Sequence, residues 1–162
     1  MIYDALEQFY TTLAANLPAD LAALVADKGI ASPGTVSLEK RQNAETFVAL
    51  GAILPAVGIF GLRAITQAKS QGSRDSITTA VCDVYHIGAD PVLLAKQIEL
   101  LAEAILRTVD RLNNGATGVF AAAALDDSIT IELTEAYLKV EAPNYGRRAV
   151  VTFPLYDRDT GL

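Results

Sequence analysis

The chain has no tryptophan and only one cysteine, one histidine and one methionine among its 162 residues. The lone cysteine, Cys82, excludes an internal disulfide, so core packing must hold the fold and nothing demands an oxidising compartment. One His and one Cys cannot build a structural zinc site without several carboxylates. Positive charge is also in deficit. Thirteen Lys and Arg against nineteen Asp and Glu leave a net charge of −6, which argues against a protein that grips nucleic acid through its phosphates. Phosphate cradles are missing as well: Lys69 and Ser70 look like the end of a P-loop, but no glycines precede them at the required spacing. The stretch MIYDALEQF carries Asp4 and Glu7 where a secretion signal would be positive, so none is expected.

What is present suits a globular protein, with 51% hydrophobic and 20% charged residues. We expect a single domain over residues 1–162, with a helical N-terminal segment at about 1–28 and an α/β body at about 46–159. The uncharged run TFVALGAILPAVGIFGL, residues 46–62, reaches the lower limit for a membrane span. Its Pro55 and three glycines favour one or two buried strands instead.

Ile2, Leu6, Phe9, Leu13 and Leu17 recur at helical spacing, and Pro18 is expected to interrupt them. Asn16 then caps a second short helix bearing Leu21, Leu24 and Val25, which stops at Gly29. Residues 29–45 lack a steady period and read as a loop. A polar arm over 62–76, with turn chemistry at 72–75, joins the first apolar run to a β-branched strand over 77–87. Together they form a long hairpin whose tip projects from the body. The arm has little to anchor it, which predicts mobility in an isolated subunit.

Asp90 and Pro91 begin the strongest element, a helix whose stripe is Leu94, Ile98, Leu101, Ile105, Val109 and Leu112. Glu99 and Glu103 are spaced to pair with Arg107 on its outer side. Two strands follow. In one, Ile129, Ile131 and Leu133 alternate with polar residues; in the other, Val151, Phe153 and Leu155 do so. Pro154 cannot donate to a ladder, which places the last strand at an edge or leaves it paired on one side there. The fold class expected is α+β, a small mainly antiparallel sheet with a long amphipathic helix on one face and N-terminal helices.

Nucleophilic catalysis finds no constellation. Cys82 and His86 share a strand face but stand roughly 13 Å apart, too far to hydrogen-bond. Asp126 and Asp127 could hold a hard cation or simply mark a turn, and nothing selects a pair of acids for glycoside hydrolysis. Basic residues of the arm, Arg63, Lys69 and Arg74, are either a solvated loop or a contact surface for an acidic neighbour. Arg147 and Arg148 carry the same two readings.

Four stretches taken in order carry a family resemblance: LPAVGIFG with its polar loop; SITTAVCDVYHIGADP running into LLAKQIELLAEAILRTVDRL; SITIELTEAYL; and YGRRAVVTFPLYDRD. This pattern resembles the tail terminator and neck proteins of long-tailed bacteriophages over about residues 53–159. The resemblance implies a structural virion protein, made in the host cytoplasm, that forms a homo-oligomeric ring, six subunits in form. Such a ring caps the tail tube and joins it to the head, with the tail-tube protein and head–tail connectors as partners. It implies no enzyme activity, cofactor, metal or membrane. Contact residues would be Arg63, Lys69, Arg74, Arg147, Arg148, Asp157, Arg158 and Asp159, the last three on a polar end left free by a strand at the sheet edge. Two alternatives stand beside it: another virion part, such as a tail-tube or tail-completion subunit, or a small α+β enzyme or ligand-binding domain using Cys82, Asp83 and His86.

Overall fold

Asp90 starts the central helix as its spacing predicts. Its Oδ1 accepts the backbone N–H groups of Val92 at 2.9 Å and Leu93 at 3.2 Å, satisfying donors that the helix itself cannot. Pro91 fills the first helical position, where a missing N–H costs nothing. The helix, α2, spans Pro91–Asn114, and all six stripe residues from Leu94 to Leu112 are buried. This is a computed structural model, describing residues 2–40, 54–70, 73–114, 119–121, 129–135 and 144–159.

The N-terminal segment is one helix, α1 (Ile2–Lys28), rather than two: Pro18 lies inside it. Proline withdraws the donor for the Ala14 carbonyl and costs about 3 kcal/mol in a helix interior. Against that, Ala5, Phe9, Leu13, Leu17, Leu21 and Leu24 form a single buried stripe running through the proline. Burying each large apolar member contributes about 1.5–3 kcal/mol, so continuity wins. Asn16 caps no second helix; its Nδ2 donates to the Thr12 carbonyl at 2.8 Å. By length and composition Ala5–Lys28 could cross a membrane, but its stripe belongs to the core. Across the helix pair Lys28 bonds Glu103 and Arg111 bonds Asp20. Glu103 therefore reaches α1, and not along its own helix to Arg107 as expected.

Both helices pack on one face of a mixed sheet of six strands: β1 (Ser37–Lys40), β2 (Ala56–Ser70), β3 (Ser73–Gly88), β4 (Val119–Ala121), β5 (Thr130–Glu135) and β6 (Tyr145–Asp159). The order is β1-β2-β3-β6-β4, with β5 also on β6. Only β1 and β2 run parallel; the other described pairings are antiparallel. The fold class is thus α+β, with a single N-terminal helix. Side chains alternate across the ladder, so Val57, Ile59, Ala80, Cys82, Val84, Ala149, Val151, Phe153 and Leu155 share the helix-facing side and are buried. Phe153 meets Phe9 of α1 with ring centroids 4.8 Å apart, tilted by 53°.

Two expectations about the strands change. The stretch read as a loop contains β1, whose Ser37 N–H donates to the Pro55 carbonyl at 2.9 Å, while Val36 and Leu38 lean on the core. Four residues are too few to show a period in sequence; residues 41–45 lie outside the described ones. The last strand is also not at the edge, because β3 pairs with it on one side and β4 and β5 on the other. Its proline explains how. β5 pairs with β6 only as far as Thr152 and β4 pairs with it only from Leu155, so Phe153 and Pro154 are paired on the β3 side alone among the described residues.

Candidate assembly surface

The helices leave parts of β2 and β5 exposed. A Cβ on Gly61 would come within 3.1 Å of Leu6 Cδ1, which marks where α1 crosses β2. Directly beyond, the β2–β3 register shifts between Gly61 and Arg63, leaving Leu62 without a partner in the ladder and 67% exposed. Arg63, Ala64, Ile65 and Thr66 are exposed too. Ile65 stands opposite Ile77 on the side of the sheet away from the helices, at 43% and 37% exposure.

This is the segment read as a polar arm, and it is strand rather than loop. The ladder runs out to Ser70 opposite Ser73, so the residues at 73–75 expected in a turn are already β3. β6 forms a third strand of the arm, with Arg74 in register with Asp159, Asp75 with Arg158 and Ser76 with Asp157. β4 adds a fourth through Val119 opposite Asp157. The inner side of β2 is thereby paired by β3 along the arm, while its outer edge beyond Ile59 has no partner among the described residues. Asp75, itself buried, accepts a hydrogen bond from the Tyr156 hydroxyl.

That topology also alters the charge reading. Along the backbone ladder, the strands that carry Arg63, Lys69 and Arg74 also carry Asp75, Asp157, Arg158 and Asp159. Asp157, Arg158 and Asp159 do not form a free polar end, because the strand includes them. Arg147, half-buried, is opposite His86 and Glu135 at the other end of β6.

Arg148 serves the interior. Its Nε donates to Asp83 Oδ1 at 2.7 Å and its Nη2 to Oδ2 at 3.0 Å, while the guanidinium lies 5.4 Å from the Tyr85 ring centroid. Asp83 is fully buried, and the hydrogen bonds it accepts raise the Arg148 pKa further. The charge of Glu132 acts in the same direction.

Sequence reasoning missed the apolar residues at the surface. Ile131 and Leu133 pair with Val151 and Ala149 on the helix-facing side, as alternation implies, yet they are 42% and 54% exposed. β5 lies past the reach of the helices. Alternation reveals which side chains share a face but carries no signal for what covers that face.

The chemical alternatives do not come together. Cys82 and His86 face the helices, whereas Asp83 points to the opposite side of the sheet. Burial pushes the Cys82 thiol up, next to the charge of Asp83, which makes it a poor nucleophile. Burial also holds the His86 pKa below its ordinary value, opposed by a hydrogen bond to Gln97. Gln97 in turn donates to the Ala31 carbonyl at 3.0 Å and the Ser32 carbonyl at 3.2 Å, tying α2 to the segment before β1. Asp126 and Asp127 lie outside the described residues. Among the described residues no three His, Cys, Asp or Glu side chains gather as metal ligands would. A groove of about 410 Å³ lies between Leu17, Pro18 and Leu21 of α1 and Thr35, Val36 and Leu38 beside it. No protein-family model matches the chain, and no curated protein matches it either.

Proposed function

We propose that this chain is a structural subunit that builds an assembly from copies of itself, of the kind the resemblance implies: a ring at the end of a phage tail, in contact with the tail tube and the head–tail connector. One observation supports self-assembly. Two strands of one sheet, β2 in the arm and β5 at the base, show large apolar side chains to solvent beside backbone edges that no described strand pairs. Such edges are a liability in a monomer and are removed when a closed ring pairs them. Sedimentation velocity over a concentration series, with negative-stain microscopy of the largest species, tests the reading. Rings, or particles seated on tail tubes, are expected. A protein that stays monomeric at high concentration and ignores tail-tube subunits would overturn it.

A further inference from the structure

We propose that copies join head to tail, with β5 of one subunit adding as a strand to the arm segment of β2 in the next. This rests on the self-assembly reading above and names the surfaces it uses.

The two edges are compatible in direction. β2, β3, β6 and β5 alternate antiparallel across the sheet, so β5 runs opposite to β2. Extending the sheet with a second copy, helices on the same side, therefore sets β5 antiparallel to the neighbour's β2. On β2, β1 occupies the outer edge only at Ala56–Ile59, and the part beyond has no partner among the described residues. β5 pairs only through β6, which leaves its outer side open in the same sense.

One register satisfies both charge and apolar surface. Arg63 and Glu132 are exposed and lie on the side of the sheet away from the helices, since they pair with Thr79 and Val150. Setting them opposite each other puts Ala64 beside Ile131 and Leu62 beside Leu133 on the helix-facing side, and Ile65 beside Thr130 on the other. Every pair then agrees in face, opposite charges meet, and the apolar residues that the helices leave bare are covered. A two-fold pairing of β5 with itself offers Glu132 no cation to face, because β5 carries none, and leaves Leu62 uncovered. Because the two edges differ, the contact is heterologous and propagates until it closes into a ring.

Disulfide trapping tests the register. Leu62→Cys and Leu133→Cys chains are made separately, mixed and mildly oxidised. Native Cys82 is buried and stays out of the reaction. A covalent dimer is expected from the mixture and not from either variant alone, since facing Cβ atoms of neighbouring strands lie within disulfide reach. Dimers from L133C alone would instead mean two-fold pairing and overturn the proposal. Sedimenting oligomers without a cross-link in the mixture would also overturn it, while the self-assembly reading stands; monomers throughout would remove both.

A charge swap gives a second readout that misfolding cannot imitate. Arg63→Glu and Glu132→Lys should each assemble several-fold more weakly than the native chain while still unfolding cooperatively. Mixed in equal amounts they should assemble again, because every contact in an alternating chain regains opposite charges. A mixture no better than its components counts against the pairing.

Discussion

Arg148 neutralises Asp83 from the adjacent strand, diagonally across the β3–β6 seam, with both carboxylate oxygens engaged at 2.7 and 3.0 Å. Asp83 is fully buried, so removing its partner leaves a charge with no water to solvate it. Arg148→Ala is expected to destabilise the fold by about 3–5 kcal/mol, against less than half that for Arg148→Ala combined with Asp83→Leu. Urea unfolding of the three proteins measures the difference. If Arg148 acted only as a surface contact, the single variant would unfold like the native chain.

Acid should weaken the fold in two stages. The folded pKa of His86 lies below its ordinary value of 6.5, so its neutral form contributes stability that is complete above that pH and is lost as pH falls through the folded value. Arg111, by donating to Asp20, holds that carboxyl below 3.8; its contribution is complete above 3.8 and lost at lower pH still. Thermal midpoints from pH 7 to 3 should therefore decline first below about 6.5, and His86→Gln should flatten that upper stage. Asp20→Asn should flatten the lower one. An unchanged upper stage in the His86 variant would show that other groups set it.

Cys82 is fully buried, with its thiol pushed towards the neutral form. Only the thiolate reacts readily, so the native protein should resist iodoacetamide and Ellman's reagent until denaturant opens the core. The labelling rate should follow unfolding. Rapid labelling of the native protein would put the thiol at a surface.

Pro18 withholds a hydrogen bond from Ala14 inside a helix that forms regardless. Restoring the N–H with Pro18→Ala should stabilise the protein by about 1–3 kcal/mol. At about 2–4 °C per kcal/mol for a chain of this size, the shift is readily measured by calorimetry. A lower midpoint would mean that the ring of Pro18 packs in the groove it lines with Leu17 and Leu21 more strongly than a hydrogen bond compensates.

Local chemistry made part of this molecule legible from its sequence. The stripe from Leu94 to Leu112, the Asp90 cap, the β-branched run of β3 and the alternation of β5 and β6 are signals carried by neighbouring residues, and each element forms. Pro154 announced a one-sided pairing because its lost donor is a property of the residue itself. Coverage and partnership had no such local signature. Leu21 and Leu24 continue the α1 stripe past Pro18 because the core beneath them rewards a continuous helix, and that core is assembled from distant strands. Arg148 looked like a surface cation until β3 brought Asp83 beside it, and Arg74 looked like part of a basic loop until β6 brought Asp159 into register. Ile131 and Leu133 alternate onto one face, but only the lengths and positions of two helices decided that this face would be bare at β5. The physical reason is common to all of them: periodicity is set between neighbours along the chain, whereas burial and charge pairing are set between elements that meet only after folding.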